Sequence, residues 1–329
     1  MKQELQQFTR LLENGTSFVL TTHISPDCDG LGSEVALGEF LAARGKRVTI
    51  LNHSETPAPY RFLDPNGTIH RYHGDQHNDL LQGADVIVVL DTNQPGRLGS
   101  MADAVLASPA RKVVVDHHLE AHPFADLYLL DESAAATGEI LCEVLASFGQ
   151  EAITPRAAHA LYTAIMTDTG SFRFPKTDAK LHRIVAELIE LGADPVLAYQ
   201  QVYEHDSPNR LRLLGMTLSS ISTAHDGKVA YLTITADMFS ETGTNEADVE
   251  RFVPYTLTLE GVQIGLMFTD LGDQIKISFR SKGDIPVNKL AQEFGGNGHK
   301  NAAGARVPAG NLQTVMKNVV SSAGKYLSR

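Results

Sequence analysis

Four short apolar runs punctuate the first third of the chain: 17–23 (SFVLTTH), 47–53 (RVTILNH), 84–92 (ADVIVVLDT) and 112–118 (KVVVDHH). They are rich in β-branched residues and lack the apolar–polar alternation of a half-buried strand, so each predicts a strand covered on both faces, as in a parallel sheet. Between the first two lies 30–45 (GLGSEVALGEFLAARG), whose apolar spacing and closing Gly45 predict one crossover helix. From residue 137 the period turns helical. Segments 137–149, 155–170 and 178–192 carry apolar residues three and four apart and end at or near a glycine. Strands alternating with helices predict an α/β domain, a parallel sheet with flanking helices.

The remainder reads differently. A helix over 207–222 is announced by Ser207 as a cap and Pro208 at the first helical position. Beyond it come a strand at 228–235, a helix at 247–253, and strands at 262–271 and 274–281 joined by the hairpin pair Gly272-Asp273. Helices at 287–294 and about 311–327 complete a smaller mixed α/β domain. The predicted division is 1–205, a linker helix over 206–224, and 225–329, in keeping with a length of 329 residues, more than one core usually organises.

Composition is that of a globular protein, with 43% apolar and 20% charged residues. No apolar run approaches the roughly 18 residues needed to span a bilayer, and the opening MKQELQQFTRLLENG has no apolar signal region, so a cytoplasmic protein without a membrane partner is expected. Two cysteines, Cys28 and Cys142, suit a reducing compartment. The net charge of −11 is uneven: 28 of the 39 acidic but 15 of the 28 basic residues precede residue 210. Such a surface disfavours long duplex nucleic acid, which is held mainly through Lys and Arg on phosphates. It favours cations.

In open α/β sheets, functional residues lie beyond the carboxyl ends of the strands. Here the first strand ends at His23 and runs into Asp27 and Asp29; the third ends at Asp91; the fourth ends at Asp116, His117 and His118; a helix end supplies Asp168. Singly these residues have ordinary readings, since an Asp at a strand end often caps a helix or forms a turn. Jointly, four element ends bearing Asp and His point to a metal centre. Carboxylate and imidazole donors suit divalent ions, Mn²⁺ before Mg²⁺ for a mixed set, and two such ions activate water for attack on phosphorus. In the second domain, FRSKG (279–283) and GGNGHKNAAG (295–304) join Arg280 and His299 to glycines that let backbone amides approach an anion.

His23-x-x-x-Asp27-x-Asp29, Asp91, Asp116-His117-His118 and Asp168 resemble the motifs of the DHH phosphoesterase superfamily, and 279–283 with 295–304 resemble its associated C-terminal domain. The compact arrangement is most similar to the nanoRNase branch. The resemblance implies an active site in the cleft between the domains. His23, Asp27 and Asp91 would hold one ion; Asp29, Asp91, His117 and Asp168 would hold the other, with Asp91 bridging. Asp116 would orient its loop and His118 would face the scissile phosphate. Arg280 and His299, with Ser281, Lys282, Gly296 and Gly298, would take the substrate's phosphate and nucleotide. The implied substrates are oligonucleotides of two to a few residues and 3′-phosphoadenosine 5′-phosphate, and a homodimer is compatible with the family.

Cys28 between the two aspartates and Asn297 within the glycine run depart from the family pattern without changing the reaction class. RecJ-like exonucleases need a basic groove for long strands, superfamily pyrophosphatases have a different second domain, and cyclic dinucleotide phosphodiesterases share the catalytic half. A nucleotide-binding protein without turnover would be expected to have lost a ligand, and no G-x-S-x-G elbow supports a serine hydrolase.

Overall fold

The four apolar runs pair as expected and are joined by two shorter strands. In the computed structural model, which describes residues 2–119 and 121–327 apart from the side chains of Gln150 and His299, the first sheet contains β1 (Ser17–Thr21), β2 (Arg47–Asn52), β3 (Ile69–Arg71), β4 (Val86–Leu90), β5 (Arg111–Asp116) and β6 (Leu127–Leu130). Every pairing is parallel, in the order β3-β2-β1-β4-β5-β6. β1 and β4 are buried throughout because successive side chains point into separate cores. Phe18, Leu20, Val86, Val88 and Leu90 join one core, while Val19, Ile87 and Val89 join the core on the other face.

The helices of this unit are α1 (Lys2–Asn14), α2 (Cys28–Ala43), α3 (Gly74–Gln82), α4 (Ala102–Ala107), α5 (Thr137–Ala146), α6 (Pro155–Asp168), α7 (Ala179–Glu190) and α8 (Pro195–Tyr203). α2 is buried nearly all round, packed against α5, α6 and the sheet. Gly32 makes that possible, since a methyl group there would lie 2.6 Å from the Ala160 carbonyl oxygen. Cys28 faces this core rather than the site.

The chain forms two compact units that meet between His205 and Asp206. The second contains α9 (Pro208–Ser219), β7 (Ser222–Ala224), β8 (Val229–Ile234), α10 (Ala236–Thr242), β9 (Ile264–Asp270), β10 (Gln274–Ser281), α11 (Val287–Gln292), β11 (Asn297–His299), β12 (Ala302–Pro308) and α12 (Leu312–Ala323). Its sheet runs β11-β12-β10-β9-β8-β7, with β8 and β9 parallel and the other pairs antiparallel. Ile264, Leu266 and Phe268 pack with α11 and α12, while Met267 packs with Leu213 of α9 and Phe252 on the other face. The helix expected at 247–253 is replaced by short 3₁₀ turns at Glu246–Val249 and Val253–Thr258. Glu250 leaves helical geometry (ψ 142°) and Arg251 is left-handed (φ 68°), which breaks the helix between the two turns. Among the described residues no helix is long and apolar enough to cross a membrane.

Candidate metal centre

The strand order reverses between β1 and β4, which opens a crevice at the carboxyl end of the first sheet. His23 lies two residues beyond β1, Asp91 directly after β4, and Asp116 at the end of β5. α2 begins there with Asp27 as its cap, whose Oδ1 accepts from the amides of Asp29 (3.0 Å) and Gly30 (3.3 Å) and whose Oδ2 is 3.9 Å from His23 Nε2. Asp29, one step into the helix, is 1% exposed. Its carboxylate caps a different helix: Oδ2 accepts from Thr137 N (2.7 Å) and Oδ1 from Gly138 N (2.9 Å), at the start of α5, where Ala136 has no side chain able to do so. Hydrogen bonds to a charged partner contribute about 1.5–3 kcal/mol each. The cap therefore ties the first motif to α5.

Asp91 has φ of +59°, a left-handed conformation that Asp tolerates better than most residues. Its two oxygens face different neighbours. Oδ2 is 3.3 Å from His23 Nε2; Oδ1 is 3.6 Å from His117 Nε2 and accepts from the Thr137 hydroxyl at 3.1 Å. His117 Nε2 also lies 3.8 Å from Asp29 Oδ2 and 3.3 Å from Asp168 Oδ2 at the end of α6. Two groups of ligand atoms close enough to share an ion result, His23 with Asp27 and Asp91, and Asp29 with His117 and Asp168; a third comprises Asp91, Asp116, His117 and His118. Asp116 is wholly buried, and its Oδ1 accepts from the amides of His117 (2.8 Å) and His118 (3.2 Å) and meets His118 Nδ1 at 2.7 Å.

Charge decides what this arrangement is built for. Burial and the Asp27 carboxylate push Asp29 up to about 7. Burial and the neighbouring Asp29 and Asp27 carboxylates drive Asp91 well above the usual range, and partial burial with the same neighbours does so for Asp168. Burial lowers His23; burial and His118 push His117 down to about 4, so both rings are neutral near pH 7. Among the described residues no Lys or Arg forms an ion pair with Asp27, Asp29, Asp91 or Asp168. Carboxylates gathered in this way repel one another unless cations are placed among them. His23 fits that role further, because its Nδ1 meets the Ile24 carbonyl at 2.8 Å, which fixes the tautomer whose Nε2 lone pair faces the carboxylates. The donor set fits divalent cations.

Two supports were not anticipated from the sequence. Thr137 joins Asp29 and Asp91 through its amide and its hydroxyl. Behind β1, Asn52 Oδ1 accepts from the Thr22 amide at 3.0 Å, and its Nδ2 donates to Glu34 Oε2 at 2.8 Å, which holds the peptide preceding His23. Glu34 is fully buried, and burial holds its carboxyl well above the usual carboxylate range. A Thr at a helix start and a Glu within an apolar helix carry no sequence signal of their partners.

In the second unit, Arg280 lies near the end of β10, mostly buried, with Nη1 donating to the Phe279 carbonyl at 2.9 Å. The Ser281 hydroxyl serves the fold: it donates to the Ile285 carbonyl at 2.7 Å and accepts from Asn301 Nδ2 at 2.8 Å. Lys282 is exposed. Gly296 and Gly298 allow the β11–β12 hairpin to close, since a Cβ at 296 would lie 2.2 Å from the Gly304 oxygen and one at 298 would lie 2.5 Å from Ala303 Cα. The backbone of His299 pairs with Ala302, while its side chain lies outside the described residues.

A parallel sheet with Asp and His side chains clustered at its switch point, followed by a mixed domain, fits a class of metal-site hydrolases, and family comparison agrees. Residues 17–165 match the DHH family N-terminal domain and residues 226–324 the DHHA1 domain. The chain belongs to the DHH family of phosphoesterases. It is 30% identical over 312 residues to the bifunctional oligoribonuclease and PAP phosphatase NrnA of Thermus thermophilus, covering 94% of this chain and 90% of that protein. The protein of the same name from Bacillus subtilis is 29% identical, with 93% of each chain covered. A crystal structure of an exopolyphosphatase-related protein from Bacteroides fragilis superposes with a TM-score of 0.95 at 30% identity, covering 99% of this chain and 97% of that one.

Proposed function

We propose that the chain hydrolyses oligonucleotides of two to a few residues to mononucleotides and converts adenosine 3′,5′-bisphosphate to AMP. The observation that carries this reading is the double face of Asp91, one oxygen 3.3 Å from His23 and the other 3.6 Å from His117, so that one carboxylate belongs to both ligand groups. On this reading His23, Asp27 and Asp91 hold one divalent ion and Asp29, Asp91, His117 and Asp168 hold the other, with Mn²⁺ favoured by the mixed donors. Divalent ions held there supply Lewis acidity to a phosphoryl group and acidify a water nucleophile.

The chain's own residues position the substrate. His118, its ring held through Nδ1 by Asp116, stabilises charge on the phosphoryl oxygens. Arg280, with Lys282, Gly296, Gly298 and His299, takes phosphate and nucleotide groups of the substrate, and Ser281 supports that segment through the turn it holds. The substrate class is supported by the Thermus and Bacillus relatives, which are oligoribonucleases and PAP phosphatases and match this chain over nearly its whole length.

The test is incubation of metal-stripped protein, with and without Mn²⁺, with a 5′-phosphorylated dinucleotide, adenosine 3′,5′-bisphosphate, a cyclic dinucleotide and a long single strand. Mn²⁺-dependent release of mononucleotides from the first two, with the long strand largely intact, is the expected result. Preference for the cyclic dinucleotide or the long strand would reassign the substrate, and turnover that needs no metal would refute the reading.

A further inference from the structure

The segments that carry the metal-site groups also leave large apolar side chains in water: Ile24 beside His23 is 38% exposed, Leu119 beside His118 is 62% exposed, and Phe174, six residues after Asp168, is 53% exposed. Single exposed apolar residues are ordinary. Phe174 is set apart by how it is held. Its ring lies against the backbone of Gly170, where an added Cβ would sit 2.5 Å from the ring.

Three consecutive left-handed residues, Gly170 (φ 58°), Ser171 (φ 60°) and Phe172 (φ 62°), fold the chain back, and the amides of Arg173 and Phe174 both donate to the Thr169 carbonyl, at 2.9 and 3.0 Å. The Arg173 Nε donates to the Gly170 carbonyl at 2.7 Å, which braces the same turn. Phe172 turns inward, its ring 5.9 Å from Tyr162 and 5.7 Å from His182. Left-handed non-glycine residues are costly, about 1–3 kcal/mol each. Packing accounts for Phe172, but no core contact accounts for an aromatic ring fixed in water at 174. Gly170 is two residues from Asp168, at most about 7 Å along the backbone, and Asp168 faces His117. That is within the length of one nucleotide.

We propose that Phe174 is a stacking platform for a nucleobase of the substrate. A flat ring with one side against backbone and the other in water matches the face of a base. Stacking is indifferent to base identity, so the platform reads the presence of a base and not its sequence. The proposal deepens the reading of the chain as a nucleotide hydrolase and rests on it, since phosphate chemistry alone requires no such ring.

The chain contains no tryptophan, so Phe174→Trp introduces a sole indole at the platform. Titration of that variant with AMP should quench its fluorescence, and ribose 5-phosphate should leave it unchanged; this readout needs no turnover. In steady state with Mn²⁺ and a 5′-phosphorylated dinucleotide, Phe174→Ala should raise KM roughly 5- to 100-fold, the size of one aromatic–base stack. It should leave kcat within about twofold, and Phe174→Tyr should restore KM. On the same dinucleotide with abasic riboses, Phe174→Ala and the unaltered protein should have equal KM. Failure of the unaltered protein to cleave the dinucleotide refutes the proposed function, while the fluorescence still decides the platform. Equal response to AMP and ribose 5-phosphate, or an unchanged KM of Phe174→Ala on the base-bearing dinucleotide, overturns the platform.

Discussion

Without metal, the protein should lose stability as pH rises from 6.5 to 8. At lower pH two effects oppose each other. The lowered His23 and His117 favour the unfolded chain on acidification, whereas the raised carboxyls favour the fold. Between pH 6.5 and 8 the unfolded imidazoles still release about half a proton each, which offsets less than about 1 kcal/mol in all, so the carboxyls dominate. Their folded pKa values exceed the unfolded ones, so the stability they contribute is fully present below about pH 4 and is lost as pH climbs through the folded values. For Asp91, 2% exposed, each pH unit over which the fold keeps a proton that the unfolded chain releases costs about 1.4 kcal/mol. Asp29, pushed up to about 7, adds on the order of 1 kcal/mol. Asp168, about a third exposed, adds less because solvent screens it. The expected net loss is therefore on the order of 1–2 kcal/mol. Urea unfolding followed by far-UV circular dichroism, after chelation and at three pH values, measures it. Saturating Mn²⁺ should remove the slope, because cations compensate the ionised carboxylates, and Asp91→Asn should flatten it in the metal-free protein. Metal-free stability that stays constant or rises between pH 6.5 and 8 would refute the reasoning.

Thr137→Val removes the hydroxyl on Asp91 Oδ1 while keeping shape and both amides on Asp29, so Mn²⁺ affinity by calorimetric titration should fall about 10- to 100-fold; Thr137→Ser should keep it. Because burial favours the uncharged form of Glu34, Glu34→Gln should stay within about 1 kcal/mol of the unaltered protein in urea unfolding, whereas Glu34→Leu strands the Asn52 amide and should cost about 1–3 kcal/mol. Gly296→Ala sets a methyl group 2.2 Å from the Gly304 oxygen, so thermal unfolding should show a loss of about 1–3 kcal/mol, and KM for the dinucleotide should rise.

The strands that form the centre of the first sheet were legible because burial on both faces leaves unbroken apolar runs. Its two edges were not. β3 has three residues, two of them exposed, and β6 alternates buried and half-buried positions, so neither carries a run long enough to stand out. In the second unit, β12 reads AAGARVP, where small residues dominate because β11 and β10 approach closely on either side. The Asp and His residues of the candidate centre were legible as types at element ends. Their division into two groups depends on which oxygen of Asp91 faces which ring, and spacing along the chain contains no such information. Ser281 shows the converse, since its place in a motif suggested substrate binding while its hydroxyl is engaged by Ile285 and Asn301.

What the sequence determined by itself was local: the four central strands of the first sheet, most of the helices, where Ser207 caps, and which Asp and His residues end each element, because hydrophobic period and capping act over a few residues. The tertiary structure alone decided the rest. It brought residues more than a hundred positions apart together, as when Asp29 caps α5 at Thr137 and Gly138. It also buried carboxylates together with, among the described residues, no Lys or Arg in ion-pair contact, an electrostatic conflict visible only once the sheet order has placed β1 beside β4. Long-range pairing sets the dielectric and the neighbours of each charge, and those set its chemistry.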